Sequence, residues 1–278
     1  TVSTVRSWSR KAFWTKNRSH KARIAGLYFA SAMVSLFSAT RNTLLNLAFP
    51  QRCHSCAAQV GNDFFGVACS DCWEHTTFFE NSEELCSKCG AISSVSGLAV
   101  ACRNCTDHQY DDARSIGIYE FAMSATVLHL KRCPVIPRIL FDQMSSILAS
   151  QAFGDCDFIV PVPLSAKRRA ERGFNQAEHI ASHVSEKLGI PIDAQSLSRK
   201  LHTPMHRASM DKKARELSVK NAFEVIRPKL VAGRSILLVD DIFTSGATVS
   251  NCAKALKKNG AARVSVFTLA RAPIGQTS

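Results

Sequence analysis

Apolar and polar positions change rhythm along this chain, and those changes predict its elements. Ile236, Leu237, Leu238 and Val239 form a short continuous apolar run, the pattern of a strand buried on both faces of a parallel sheet. Asp240 and Asp241 follow and are expected to end that strand. The small polar turn Thr244-Ser245-Gly246-Ala247-Thr248 then leads into a helical stretch through Lys258, with Asn259-Gly260 as its stop. Strands are expected near residues 158–162, 236–240 and 263–269, and helices near 174–188 and 247–259. Such alternation is an α/β fold, a parallel sheet flanked by helices. No apolar run reaches the ~18–20 residues needed to cross a bilayer, so no membrane span is expected.

Residues 44–110 follow a different rule, set by cysteine. Cys53-x-x-Cys56 is followed after twelve residues by Cys69-x-x-Cys72, and Cys86-x-x-Cys89 after twelve by Cys102-x-x-Cys105. All four cysteines of the first set recur 33 residues later, an internal repeat. Each C-x-x-C aims two sulfurs at one point, and a hairpin-sized gap brings round the second pair, as tetrahedral Zn²⁺ requires. One zinc per repeat is the simplest of the three ways to pair four knuckles. All eight ligands read as structural, because a catalytic zinc keeps an open position. The rival reading, four disulfides of a secreted module, needs an oxidising compartment. His54, His75 and His108 complete no ligand spacing and read as surface or packing residues. Cys133, Cys156 and Cys252 read as buried small apolar residues.

Charge divides the chain further. Residues 1–50 carry eight Lys/Arg and no Asp or Glu, whereas residues 51–110 carry three basic and seven acidic groups. Residues 164–278 carry twenty basic against nine acidic, within a total of +13. An acidic middle argues against a protein that wraps nucleic acid over its whole surface, and favours a scaffold or protein-contact role for the cysteine repeat. Residues 1–43 form a basic extension with an apolar stretch behind it. They read as a secretory signal, an organelle transit peptide, a tail left by a wrongly chosen start, or a mobile tail leading into an amphipathic helix. The domains expected are therefore residues 1–43, 44–110 and 111–278.

The segment around Asp240 carries the chemistry. Ligands of such sheets bind at the carboxyl ends of strands, and a helix start built of small residues offers N–H groups and a favourable dipole to a phosphate. The acids just ahead are placed to accept hydrogen bonds from sugar hydroxyls. Four apolar residues, two acids, two apolar residues and Thr-Ser-Gly-x-Thr resemble the phosphoribosyl pyrophosphate (PRPP) motif of type I phosphoribosyltransferases. Further segments narrow the resemblance: Leu44 to Pro50 leading into the first knuckle, His129-Leu130-Lys131, Val160-Pro161-Val162-Pro163-Leu164, Arg168, Arg172-Gly173-Phe174-Asn175-Gln176-Ala177, Thr203-Pro204, Arg215 and Ala222-Phe223. With the cysteine repeat ahead of them, they resemble the ComF family over about residues 44–272. Two positions depart from that pattern: His206 stands where many relatives have Gln, and Ser218 where they have Asn.

The resemblance implies a type I phosphoribosyltransferase sheet preceded by a small double zinc-ribbon domain. It implies Asp240 and Asp241 on the ribose hydroxyls, directly or through Mg²⁺. The turn Thr244, Ser245, Gly246, Ala247 and Thr248 would take the 5-phosphate, and Val162 and Pro163 the turn beside the pyrophosphate. Of Lys167, Arg168, Arg169 and Arg172, Arg172 is chosen as the catalytic cation because it adjoins the Gly173 turn; Lys131 is a second cation within reach. Residues 199–221, basic and poor in apolar runs, read as a water-excluding lid or as a solvated loop. The implied protein is cytoplasmic, with PRPP as ligand. Its alternative role is a non-catalytic PRPP-binding or single-stranded-DNA-handling partner of a DNA-uptake protein in natural competence.

Overall fold

The computed structural model describes residues 51–60, 63–79, 85–92, 102, 105–150, 153–199 and 222–273. The readings of residues 1–43, of His206 and Ser218, and of the lid beyond Arg199 lie outside the described residues. Those from Arg52 on belong to one compact unit. It opens with a 3₁₀ turn at Asp63–Phe65 and α1 (Ser70–Glu74). Then come β1 (Asp112–Ile118), α2 (Phe121–His129), α3 (Arg138–Ser150), β2 (Phe158–Pro161), α4 (Ala166–Arg172) and α5 (Gln176–Leu188). A small pair, β3 (Leu197–Arg199) and β4 (Phe223–Val225), precedes α6 (Pro228–Val231), β5 (Ser235–Phe243), α7 (Ala247–Lys258) and β6 (Arg263–Arg271).

Four strands form a parallel sheet in the order β1-β6-β5-β2, and β3 pairs antiparallel with β4. Ile236, Leu237, Leu238 and Val239 are all fully buried, and strand periodicity sends them to opposite faces. Leu237 and Val239 join Ile159, Phe267 and Leu269 on the face covered by α2, α3 and α5. Ile236 and Leu238 join Val160, Val264 and Val266 on the face covered by α7. Helix α5 shows why its sequence is helical. Asn175 caps its start by accepting from the Ala177 amide at 3.2 Å, and Gly189 ends it at φ 70°. Between them Ala177, Ile180, Ala181 and Val184 form the buried stripe.

Two expectations need correction. The strand expected to stop at Asp240 runs on to Phe243, because β6 continues beside it and pairs Asp240 with Thr268, Ile242 with Ala270 and Phe243 with Arg271. The acids therefore sit inside a strand and are not its terminus. Cys156 and Cys252 are buried as expected, but Cys133 is only half-buried, in the loop after α2. The stretch after β2 also holds a helix, α4, started by the Ser165 side chain and stopped by Gly173 at φ 77°.

The cysteine repeats pack on the sheet instead of standing apart from it. Cys53, Cys69, Cys72 and Trp73 belong to the apolar cluster of α2 and α3, with Met123 and Leu130. Cys86, Cys89, Cys105 and Tyr110 belong to the cluster on the other face, with Leu238 and Val249. Between them the chain runs along the outer edge of β1. Phe79 N–H donates to Ile116 O (2.8 Å), Ile118 N–H to Thr77 O (2.9 Å), and Phe78 bridges Gly117. This cover protects an otherwise open sheet edge. Gly117 permits it: a Cβ there would lie 2.4 Å from Thr77 O.

Candidate functional site

The eight repeat cysteines fall into two tetrads, Cys53/Cys56/Cys69/Cys72 and Cys86/Cys89/Cys102/Cys105, the tandem arrangement. In the first, Cys53 and Cys72 sulfurs are 3.7 Å apart and Cys56 and Cys69 sulfurs 3.6 Å. In the second, Cys86–Cys105 is 3.7 Å, Cys89–Cys102 3.6 Å and Cys102–Cys105 3.5 Å. A disulfide needs about 2.05 Å, whereas a tetrahedron of sulfurs about 2.3 Å from a zinc has edges of roughly 3.8 Å. The repeats also match in detail. The bridge Arg52–Gln59 recurs as Leu85–Ile92, and Cys69 N–H to Cys53 Sγ (3.3 Å) recurs as Cys102 N–H to Cys86 Sγ (3.2 Å).

The thiol chemistry points the same way. Burial alone would raise Cys53 and Cys86, yet backbone N–H groups aimed at each sulfur bring both down to about 6. Burial pushes Cys72 up to about 12 and Cys89 up to about 11, and raises Cys69 and Cys105 as well. Cys53 and Cys86 thus favour the thiolate, whereas Cys69, Cys72, Cys89 and Cys105 resist ionising without a cation beside them. Both tetrads fit structural zinc.

The second constellation lies at the carboxyl ends of the parallel strands. Asp240 and Asp241 are half-buried neighbours on β5, and Asp240 Oδ1 accepts from the Asp241 amide at 2.9 Å. Burial, then the neighbouring carboxyl, pushes Asp240 well above the usual carboxylate range. Burial raises Asp241 less, because Lys131, the Ile242 amide and Arg172 oppose it. Lys131 follows α2 and Arg172 ends α4, so the fold brings both expected cations to bear on one carboxyl. Of the other α4 cations, Arg169 makes a bidentate pair with Glu178 at 2.6 and 3.0 Å, and exposed Lys167 lies 4.0 Å from Glu171. Val162 is pinned at the end of β2 by its own amide donating to Val239 O (2.9 Å) and by Asn175 Nδ2 donating to its carbonyl (3.0 Å). Pro163 follows directly.

Beyond Phe243 the chain turns through exposed Thr244 and Ser245 into buried Gly246, which starts α7 at φ 76°. Glycine brings no side-chain oxygen to the helix start, and the Ala247 amide donates to the Ser245 hydroxyl at a long 3.4 Å. Ala247 and Thr248 therefore open a helix whose amino end suits an anion. Gly246 is also hemmed in: a Cβ would lie 2.6 Å from Phe243 Cζ and 2.7 Å from His108 Cε1.

Four residues at this end had not been singled out from the sequence as site residues. Tyr119, just past β1, has its hydroxyl raised by burial and by the charge of Asp241. Arg199 lies at the end of β3 over the Phe223 ring at 5.3 Å and acts on Asp240. Asn175 and Arg271 are buried polar residues beside the strand ends. Asn175 alone had a local signal, as a helix-capping residue type ahead of an amphipathic stretch. At the opposite end, a cleft of about 630 Å³ is lined by Phe158, Ile192, Leu230, Arg227 and Arg234. Its cations are engaged, Arg234 with Asp157 at 2.8 Å and Arg227 with Gln195, and none of the expected chemistry reaches it.

Two domain families match this chain: a double zinc ribbon domain over residues 44–106 and a phosphoribosyl transferase domain over residues 169–277. The Escherichia coli DNA utilization protein YhgH is 29% identical over 233 residues, covering 81% of this chain and 99% of that protein. Competence protein F of Haemophilus influenzae is 29% identical over 233 residues, covering 81% and 98%. Competence protein ComFC of Bacillus subtilis is 30% identical over 201 residues, covering 67% and 78%. No helix among the described residues is long and apolar enough to cross a membrane.

Proposed function

This chain belongs to the ComF family, and from that premise we propose that it binds PRPP with Mg²⁺ and transfers the phosphoribosyl group to an acceptor with release of pyrophosphate. The observation that carries this reading is the adjacent acid pair on β5, two residues ahead of the turn into a glycine-started helix, with the charges of Lys131 and Arg172 felt at Asp241. Asp240 and Asp241 would hold the ribose 2′- and 3′-hydroxyls, and they are the residues that would hold a magnesium ion there. Two adjacent carboxyls driven towards the neutral form by desolvation, and at Asp240 also by its neighbour's charge, are a donor set that a dication relieves. When bound, Mg²⁺ supplies neutralisation of the pyrophosphate charge.

The 5-phosphate would sit on the amides that open α7, and the pyrophosphate beside Val162 and Pro163, where Lys131 and Arg172 offset its charge. During transfer the bond from ribose C1 to the pyrophosphate oxygen breaks, positive charge grows on the sugar ring, and the acceptor's lone pair forms the new bond. The residues contribute by orienting the ribose and stabilising the leaving group. Free thiols and PRPP both suit a reducing cytoplasm. The domain boundaries proposed remain residues 1–43, 44–110 and 111–278, with the last two sharing their apolar packing.

A second reading has its own support in the relatives' names, which speak of DNA utilisation and competence. In it the PRPP site senses without turnover, and the exposed Lys167 and half-buried Arg168 on α4 meet single-stranded DNA during uptake. Pyrophosphate release over a panel of nucleobase and amine acceptors separates the two. Acceptor-dependent release that requires Mg²⁺ supports transfer. PRPP binding without release from any acceptor, together with salt-sensitive DNA binding, supports the accessory role.

A further inference from the structure

The second cysteine tetrad lies directly behind the phosphate turn, and two routes join them. Along the first, Arg271, at the end of β6, donates from Nη1 to the Cys89 carbonyl at 2.6 Å and from Nη2 to the Cys89 sulfur at 3.5 Å. Its guanidinium also stands 4.5 Å from the centroid of the Phe243 ring, and Phe243 presses on Gly246. Along the second, the chain leaving Cys105 reaches His108, which closes the other side of the same glycine. His108 Nδ1 shares a 2.7 Å hydrogen bond with the buried Tyr110 hydroxyl. The next amide, Gln109 N–H, donates to Ser250 Oγ in the first turn of α7 at 3.1 Å.

Arg271 is only 7% exposed, and a cation that deep is retained against an anionic partner. Four thiolates around one dication carry a formal charge of about −2, and Cys89 brings that charge to the guanidinium. The first tetrad belongs to the other apolar cluster, with Met123 and Leu130. The two centres are thus alike in ligands and unlike in what they touch.

Resting on the PRPP reading above, we infer that Arg271 and His108 are positioning residues that tie the second zinc centre to the 5-phosphate turn, so that metal in that centre and PRPP at the turn stabilise each other. Linkage makes such coupling reciprocal: whatever the metal does for PRPP affinity, PRPP does for metal affinity.

The test is an equilibrium competition between the fully zinc-loaded protein and a zinc-selective chelator, with and without saturating PRPP and Mg²⁺. One of the two zincs is expected to be held about tenfold more tightly when PRPP is present; the other serves as an internal control and stays unchanged. In Arg271→Met and His108→Ala the PRPP-dependent gain disappears, and Arg271→Lys, which keeps the charge, restores part of it. His108→Ala removes neither a ligand nor a buried charge, so it carries the test if Arg271→Met fails to fold. Calorimetry on the same samples separates the failures. PRPP bound, with both zincs or neither held more tightly, overturns this inference alone. No PRPP bound by the intact protein overturns the reading beneath it and this inference together.

Discussion

Under the proposed function, Asp240 and Asp241 trade stability for binding. Both carboxyls are raised by burial, so the folded chain keeps protons that the unfolded chain gives up at ordinary carboxylate pH. Stability from this pair is therefore greatest in acid and declines as pH rises above the usual carboxylate range. Asp240→Asn, which never has to bury a charge, is expected to melt higher than the parent at neutral pH and to show a flatter pH dependence; melting curves from pH 4 to 8 check this. The same substitution should weaken PRPP binding. In the parent, affinity should fall as pH drops, because the hydroxyl-binding carboxylates become protonated. Gly246 makes a steric counterpart. Gly246→Ala drives a methyl into Phe243 and His108 in a left-handed conformation, at a cost of about 1–3 kcal/mol, with loss of PRPP affinity measurable by titration.

Among the elements, what could be read from sequence was what is contiguous in the chain. The strand, acid pair, turn and helix of residues 236–258 are one unbroken segment, so their pattern shows in the sequence without any tertiary contact. The cysteine tetrads were equally legible, since metal geometry dictates knuckle spacing. Tyr119, Arg199 and Arg271 were not. Each reaches the site through strand pairing, as when the β5–β6 register sets Arg271 opposite Phe243. That register also explains why the strand did not end at its acids. The cover along β1 was hidden for the same reason, and it predicts a large effect from a small change. Gly117→Ala must push the Thr77 carbonyl off the sheet edge and is expected to cost more than about 2 kcal/mol, as read by denaturant titration.

At the scale of the whole molecule, the ribbon repeats clasp the edge of the sheet and contribute to the cores on both of its faces. Stripping zinc should therefore lower one cooperative melting transition of the entire unit. Two resolved transitions in calorimetry, one zinc-dependent and one not, would contradict this packing. The charge pattern also acts at this scale. The excess of cations in residues 164–278 favours an anionic ligand for this part of the chain, whereas the ribbon segment, rich in acids, does not invite one. The proposed function requires that the carboxyl edge of the sheet bind PRPP through the acid pair. The most direct measurement is calorimetric titration of PRPP into the zinc-loaded protein, with and without Mg²⁺, beside the Asp240→Asn/Asp241→Asn double variant. Saturable, Mg²⁺-dependent heat in the parent that vanishes in a folded double variant is the predicted result. No heat from the folded, fully zinc-loaded parent, or equal heat from the variant, would contradict it.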